Sequence, residues 1–494
     1  MSILTVHDNG KTTELSFEAP SKLSDVLAGH KFPVLHLCGG RGICGKCRVE
    51  IEGEISPLND AEKKVGGHLS CQTMLLGDAV LTLDKKAGTA LSDIESTLIR
   101  YGGPLQPMNG KYGFAVDIGT TTVVIQLYDL SNGQLLAEAS ERNRQAEIAA
   151  DVMGRIGASL EGKLERLCQI IRDEIRELMD KALAEAGLTD HEVQSAVITG
   201  NTTMLYLLCG MDPECLSHAP FEADCLFDKE IDLFGKTVYL PPCISAFVGA
   251  DITCAVLASD MCSSPLTSLL CDVGTNGEMA LWLNGQLHVC STAAGPAFEG
   301  AGIKCGCSNI PGAIDSVSPQ GDRLIVHTIG DLKATGICGS GLIDAVASLL
   351  TIGEIDETGY LEDNYVLMDD IDLSPADVRA VQLAKAAIAG GMQTLIDSTG
   401  IKPEMIHTLY LAGGFGNHLN VSSAVRIDLL PASLSDKTKP VGNAALSGAA
   451  TLLLNVNKRE QIRELIANAK TIQLGGNPAF NANYVDHMMF PEND

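Results

Sequence analysis

"YGFAVDIGTTTVVIQLYDLSNGQLLAEAS", residues 112–140, reads as a strand, an Asp117-x-Gly119-Thr120-Thr121 loop, a second strand, a turn at Asn132-Gly133 and a third strand. "TSLLCDVGTNGEMALWLNGQLHVCST", residues 267–292, repeats the plan with Asp272-x-Gly274-Thr275 and a turn at Asn284-Gly285. Gln-Leu follows the turn in both copies. Either Asp-x-Gly alone has an ordinary reading as a turn after a buried strand. Two copies in one context imply a duplicated unit with a cleft between its halves. The loop chemistry is phosphate capture from two sides. Glycine permits close backbone approach, threonine hydroxyls and N–H groups donate to phosphate oxygens, and the aspartates hold Mg2+ through its waters. ATP is expected in the cleft.

A third element, "IHTLYLAGGFGNHLN" (406–420), is a buried strand running into Gly413-Gly414-Phe415-Gly416, a turn on which an adenosine could lie against backbone. The set resembles the phosphate-1, phosphate-2 and adenosine motifs of the superfamily of acetate and sugar kinases, Hsc70 chaperones and actin. "GICGSGLIDAVASLL" (336–350) reads as the connecting helix of that superfamily, close to its partner through glycines. No lysine follows a G-x4-G, so this is not a P-loop protein.

The resemblance assigns Asp117 and Asp272 to Mg2+ and the phosphates, and Thr120, Thr121, Thr275 and Asn276 to phosphate donation. Gly119, Gly274 and Gly277 belong to the phosphate loops, and Gly413, Gly414 and Gly416 to the adenosine turn. Asp251 in "VGADITCAV" sits in a Gly-Asp context like that of the catalytic aspartate of sugar kinases, where it would orient the attacking water. By position alone it reads equally well as a helix N-cap. Glu278 is either a metal-shell group or a satisfied strand-end carboxylate.

The N-terminal stretch poses a separate question. Cys38, Cys44, Cys47 and Cys71 are spaced C-x5-C-x2-C-x23-C, with Gly39, Gly40, Gly42 and Gly45 among the first three. A 2Fe-2S cluster needs four thiolates, and a glycine-rich loop lets three converge while turning N–H groups toward the sulfides. Two strands around Asn9-Gly10, a short helix in "KLSDVLAGH" and a strand in "KCRVEIEGE" give the order of a β-grasp ferredoxin. The x5 spacing resembles the adrenodoxin-like branch. Zinc is the rival, but zinc sites present paired knuckles, and only Cys44 and Cys47 form one. Cys305-x-Cys307 lacks a second half and reads as packing or an exposed loop thiol.

The 494 residues carry 35 basic and 62 acidic side chains, a formal charge of -27 that disfavours nucleic acid. No stretch is long and apolar enough to span a membrane, and "MSILTVHDNGKTTELSF" has no signal-peptide pattern, so a cytoplasmic protein is expected. Sixteen cysteines are too dilute for a disulfide scaffold. The fold class is α/β and multidomain: a ferredoxin over 1–84, a linker over 85–110, and RNase H-like ATPase subdomains over 111–266 and 267–494.

A 2Fe-2S ferredoxin fused to this ATPase resembles the ATP-dependent reductive activators of corrinoid proteins. The resemblance spans "VDIGTTTVV", "DVMGRI" (151–156), "ITGNTTM" (198–204), "VGADI" (248–252), "DVGTNGE" (272–278) and "LAGGFG" (411–416). The family usually has Asn-Pro-Gln before D-V-x-x-R-I, whereas this chain has Asn143-Arg144-Gln145. The resemblance implies one-electron reduction of an inactive Co(II) corrinoid to Co(I) for methyl transfer. A plant-type cluster sits near roughly -400 mV, above the very low Co(II)/Co(I) couple, so ATP must offset an uphill transfer. The implied cofactors are a 2Fe-2S cluster, ATP and Mg2+. The implied partners are a corrinoid protein and an upstream low-potential electron donor, and a homodimer is allowed. Two alternatives keep both modules: a donor to a different metalloenzyme, and a redox-gated ATP-binding sensor.

Overall fold

Alternating apolar positions in "SILTVHD" build strand β1 (Ser2–Asp8), with Leu4 and Val6 buried and Ile3 exposed. It pairs antiparallel with β2 (Lys11–Phe17), Asp8 opposite Lys11. The chain continues through β3 (Ser21–Lys22), α1 (Leu23–Gly29), β4 (Glu50–Ile55), α2 (Asp60–Val65) and β5 (Met74–Leu83). β5 runs parallel to β1 and antiparallel to β3 and β4, giving the order β2-β1-β5-β3 with β4 also on β5. Leu23 and Leu27 of α1 close a core with Leu4, Leu15, Leu75 and Leu81, a β-grasp arrangement.

This computed structural model describes residues 2–8, 11–29, 48–83, 105–300, 302–307, 309–321, 323–413 and 419–492. Asn9-Gly10, Cys38, Cys44, Cys47, Gly414 and Gly416 lie outside them. Two units are present, Met1–Arg100 and Tyr101–Asp494.

The second unit holds the duplication. Its first half contains β6 (Tyr112–Ile118), β7 (Thr122–Asp129), β8 (Gln134–Arg142), α3 (Val152–Ala158), α4 (Leu164–Ala186), β9 (Val193–Gly200), α5 (Thr202–Cys209), β10 (Lys229–Leu233), β11 (Lys236–Leu240) and α6 (Ala250–Ser259). Its second half opens with β12 (Ser268–Val273), β13 (Asn276–Leu283) and β14 (Gln286–Ala293). An inserted region follows with β15 (Ala313–Gln320), β16 (Arg323–Thr328), β17 (Gly336–Ile337), α7 (Gly339–Ile352), β18 (Tyr365–Met368) and β19 (Ile371–Leu373). The half is completed by α8 (Pro375–Ser398), β20 (Thr408–Ala412), α9 (Val421–Arg426), β21 (Thr438–Gly442), α10 (Ala444–Leu454), α11 (Lys458–Ala467), β22 (Lys470–Thr471) and α12 (Pro478–Asp486).

The two sheets run β10-β11-β9-β6-β7-β8 and β21-β20-β12-β13-β14-β22. In each, three antiparallel strands are followed by two parallel ones, so β8-β7-β6-β9-β11 corresponds to β14-β13-β12-β20-β21. β6 and β12 are central, which is why both are near-continuous buried runs rather than alternating ones. The apolar face of α4, with Leu167, Ile171, Ile175 and Leu178, is buried against the first sheet.

The connecting helices are not where the glycines of residues 336–350 suggest. α6 and α10, each following the fifth shared strand of its half, pack against one another, and a Cβ at Gly448 would stand 2.1 Å from the Cys254 carbonyl oxygen. In α7 a Cβ at Gly339 would meet the Phe298 carbonyl at 1.9 Å, and one at Gly341 the Ile314 carbonyl at 2.2 Å. Glycine spacing marks close approach but does not name the surface approached. The last residues of the 85–110 stretch run along the end of α10: the N–H groups of Gln106 and Met108 donate to the carbonyls of Leu454 (3.1 Å) and Leu453 (2.9 Å).

Candidate functional site

A cleft of about 650 Å³ lies between the two halves of the second unit. The first Asp-x-Gly-Thr loop enters it between β6 and β7, and the second between β12 and β13. Asp117, Gly119, Thr120, Thr121, Asp251, Asp272, Gly274, Thr275, Asn276, Glu278 and Gly413 all line it. Gly277 does not; it lies within β13 opposite Thr292.

The loops are tight by construction. A Cβ at Gly119 would stand 2.7 Å from the Thr122 carbonyl oxygen. Gly413, at φ 106, lies so close to β12 that a Cβ would meet the Val273 carbonyl at 2.4 Å. The hydroxyls of Thr121 and Thr275 stand 3.1 Å apart across the cleft.

Behind the first loop, the fully buried Arg155 of α3 donates to the Thr120 carbonyl at 2.6 Å and to Gln145 Oε1 at 3.2 Å. Asn143 donates its side-chain amide to the Gly119 carbonyl (2.9 Å) and its N–H to the Thr121 carbonyl (2.8 Å). Arg144 stands between these two supports. Its N–H donates to Glu174 Oε2 at 2.9 Å, a bond that a proline there could not make. Burial pushes the Glu174 carboxyl up to about 7.

Carboxylates crowd the cleft floor. Burial raises Asp117 to about 6, a rise eased by the side-chain amide of Asn443 donating to its Oδ2 at 2.9 Å. Burial and then Asp117 raise Asp251 to about 7. Burial, then Asp251, Asp117 and Glu299, raise Asp272 to about 8. Burial, Asp251 and Asp272 push Glu278 well up. Such a set is relieved by a cation. Among the described residues no three His, Cys, Asp or Glu side chains stand together as ligands of one ion. Mg2+ keeps several waters and takes phosphate oxygens as ligands, so few of these carboxylates need reach it directly.

Asp251 is not the N-cap. Gly249 holds that position, α6 begins at Ala250, and Asp251 Oδ1 accepts from the Ile252 N–H at 2.8 Å. A Cβ at Gly249 would lie 2.4 Å from Asn201 Cα, so α6 starts pressed against the 198–204 turn. Asn201 in turn caps α5 and donates to Thr120 Oγ1 at 3.2 Å.

Two residues of the site escape the motif reading. Asn443 caps α10 through the Leu446 N–H (2.8 Å) while holding Asp117; the Gly-Asn-Ala before an apolar run signals the cap but not the second contact. Glu299 accepts from both Thr121 and Thr275, and only its glycine-flanked "GPAFEG" setting sets it apart in sequence. Cys307 also lines the cleft, whereas Cys305 donates to Asp372 Oδ1 at 3.6 Å.

In the first unit, Cys71 is fully buried. The chain re-enters the described residues at Arg48, which bridges to Leu69, and the Val49 N–H donates to the His68 carbonyl at 2.9 Å. Arg48 and Val49 therefore lie beside the turn that carries Cys71. Glu62, also buried, braces that turn by accepting from the Leu69 N–H (3.0 Å) and the Thr73 hydroxyl (2.7 Å). Burial opposes its charge, but these bonds and that of the Asn59 N–H hold its carboxyl below the usual range. A buried thiol beside the return of the chain at Arg48 fits a 2Fe-2S site with ligands from the turn and from the cysteines before Arg48.

A β-grasp unit with four cysteines at ferredoxin spacing and a duplicated actin- and sugar-kinase-type unit with a cleft between its halves define an ATP-dependent iron–sulfur oxidoreductase. Residues 6–76 match the 2Fe-2S iron-sulfur cluster binding domain, 112–264 the RACo middle region, and 266–494 the C-terminal domain of RACo, the ASKHA domain. The chain is 33% identical to the corrinoid activation enzyme RamQ of Eubacterium limosum over 97% of its own length and 98% of that protein. It is 27% identical to the [Co(II) methylated amine-specific corrinoid protein] reductase of Methanosarcina barkeri over 77% of each chain. A solved structure of a reductive activator for a corrinoid, iron-sulfur protein superposes with a TM-score of 0.75 at 27% identity, covering 100% of this chain and 99% of that one. This chain belongs to the family of corrinoid activation enzymes. Its cofactors are a 2Fe-2S cluster, ATP and Mg2+. Among the described residues no helix is long and apolar enough to cross a membrane.

Proposed function

We propose that this protein uses ATP to drive one electron from its ferredoxin unit to an inactive Co(II) corrinoid protein, restoring Co(I) for methyl transfer. One observation carries the reading: the Thr121 and Thr275 hydroxyls, from loops in opposite halves, meet 3.1 Å apart in a chain that also has a 2Fe-2S cluster binding domain. When bound through Cys38, Cys44, Cys47 and Cys71, the cluster supplies a one-electron donor. Asp117 and Asp272 would hold Mg2+, and Thr120, Thr121, Thr275 and Asn276 would donate to phosphate oxygens. Gly119 and Gly274 keep the backbone close to the phosphates, and Gly413, Gly414 and Gly416 cradle the adenosine. Asp251, at the start of α6, orients the attacking water, and Glu278 completes the anionic floor. Electrons arrive from a separate low-potential donor in the cytoplasm.

Partner binding and nucleotide state must influence one another by the same free energy. The affinity for ATP is therefore expected to change when the Co(II) form of a corrinoid partner is added, by the same factor by which ATP changes the affinity for that partner. An ATP affinity that ignores the partner at saturating concentration would contradict the reading. The cleft also predicts a pH response. If the floor aspartates must be ionised, kcat/KM for ATP hydrolysis falls as the pH drops below about 8, where the Asp272 carboxyl of the free protein protonates, and falls more steeply through about 7 and 6 as Asp251 and Asp117 follow. A kcat/KM that stays level from pH 8 down to 6 would detach these carboxylates from the chemistry.

A further inference from the structure

The turn Pro296–Glu299 is held at both ends. Gly295 and Gly300 flank it with φ of 81° and 82°. The Gly295 N–H donates to the Thr275 carbonyl at 2.9 Å, the Gly300 N–H to the Ala297 carbonyl at 3.0 Å, and Phe298 is buried against α7. The backbone under Glu299 is thus fixed, and its side chain reaches into the cleft. There Oε2 accepts from Thr121 Oγ1 and, at 2.6 Å, from Thr275 Oγ1.

A threonine hydroxyl has one proton to donate. In this arrangement both protons go to one carboxylate. The same two hydroxyls are those that the proposed function gives to phosphate oxygens. An arriving phosphate would meet a group of its own sign already holding its donors, so one acceptor must leave. We infer that Glu299 is a built-in competitor of the phosphates: its carboxylate clips the two phosphate loops together, and ATP binds by displacing it. Glu299 is then a positioning residue, acting through Thr121 and Thr275. The clip joins loops from opposite halves, so its release ties the spacing of the halves to the occupancy of the cleft. It also lowers nucleotide affinity, because only the unclipped fraction is competent to bind. The inference rests on ATP binding in this cleft.

The test is a titration of the full-length protein with a fluorescent ATP analogue and Mg2+, in wild type, Glu299→Gln and Glu299→Asp. Glu299→Gln keeps the shape and removes the competing charge, and should bind about tenfold more tightly or better. Glu299→Asp, one methylene shorter, should reach the two hydroxyls poorly and fall between; it carries the same decision should the glutamine variant fail to fold. A residue with only a structural role would not tighten binding when replaced. Equal or weaker binding by variants with wild-type circular dichroism and iron content would overturn the inference. Weaker binding that excess Mg2+ restores would mark Glu299 as a metal-side group and overturn it as well. Failure of the wild type itself to bind the analogue would remove the nucleotide reading, and the inference with it.

Discussion

Asp272→Ala is expected to hydrolyse ATP at least about a hundredfold more slowly than the wild type, the loss of roughly 3 kcal/mol of transition-state stabilisation that a group serving a bound metal supplies. Its iron content should stay unchanged. The expectation follows from its place. Asp272 is the penultimate residue of β12, lines the cleft, and is raised to about 8 by burial and by Asp251, Asp117 and Glu299. A carboxylate held among others without a partner cation is costly, and a Mg2+ bound with the phosphates repays that cost. Removing Asp272 weakens the metal's hold while relieving repulsion, so the protein should fold normally and lose turnover. Asp117→Ala should behave alike, since β6 and β12 hold equivalent places in the two sheets. Unchanged hydrolysis in Asp272→Ala would remove the kinase-like reading of the cleft.

Cys71→Ser is expected to abolish the 2Fe-2S spectrum and reduce iron from about two atoms per chain to a small remainder. ATP binding should persist, because the cleft is formed wholly within the second unit. Cys71 is buried on a turn fixed by Glu62, so a ligand from that turn arrives with little freedom to be replaced by a neighbour. Cys305→Ala should leave the spectrum unaltered, since Cys305 lies in the second unit with its thiol on Asp372. Zinc in place of iron, or a cluster spectrum that survives in both Cys71→Ala and Cys44→Ala, would overturn the metal assignment.

The duplicated plan was legible because each copy is local: strand, Asp-x-Gly-Thr, strand and Asn-Gly turn fall within thirty residues. The β-grasp order was legible for the same reason, from alternation around Asn9-Gly10 and from the cysteine spacing. Asn443 and Glu299 were not, because their contacts are made over 326 residues to Asp117 and 178 to Thr121, and no local pattern encodes them. The connecting helices were misplaced because α6 and α10 meet through one glycine, Gly448, while α7 is richer in glycines that serve a turn and a strand. The departure at Arg144 is explained only in three dimensions. Asn143 holds the Gly119 carbonyl, Gln145 reaches the Leu167 carbonyl and accepts from Arg155, and the Arg144 N–H donates to Glu174.

The central claim is that ATP makes an uphill electron transfer proceed. For a one-electron couple every ~59 mV of unfavourable potential lowers the yield tenfold, so a gap of a few hundred millivolts leaves almost no product without coupling. The direct measurement is the Co(I) absorption band of a corrinoid partner, followed without oxygen in the presence of reduced full-length protein. It should be made with ATP, with ADP, with a non-hydrolysable analogue and with no nucleotide. The account predicts Co(I) in quantity only with ATP. Equal Co(I) with and without ATP would leave an electron donor but contradict the energy coupling assigned to the cleft.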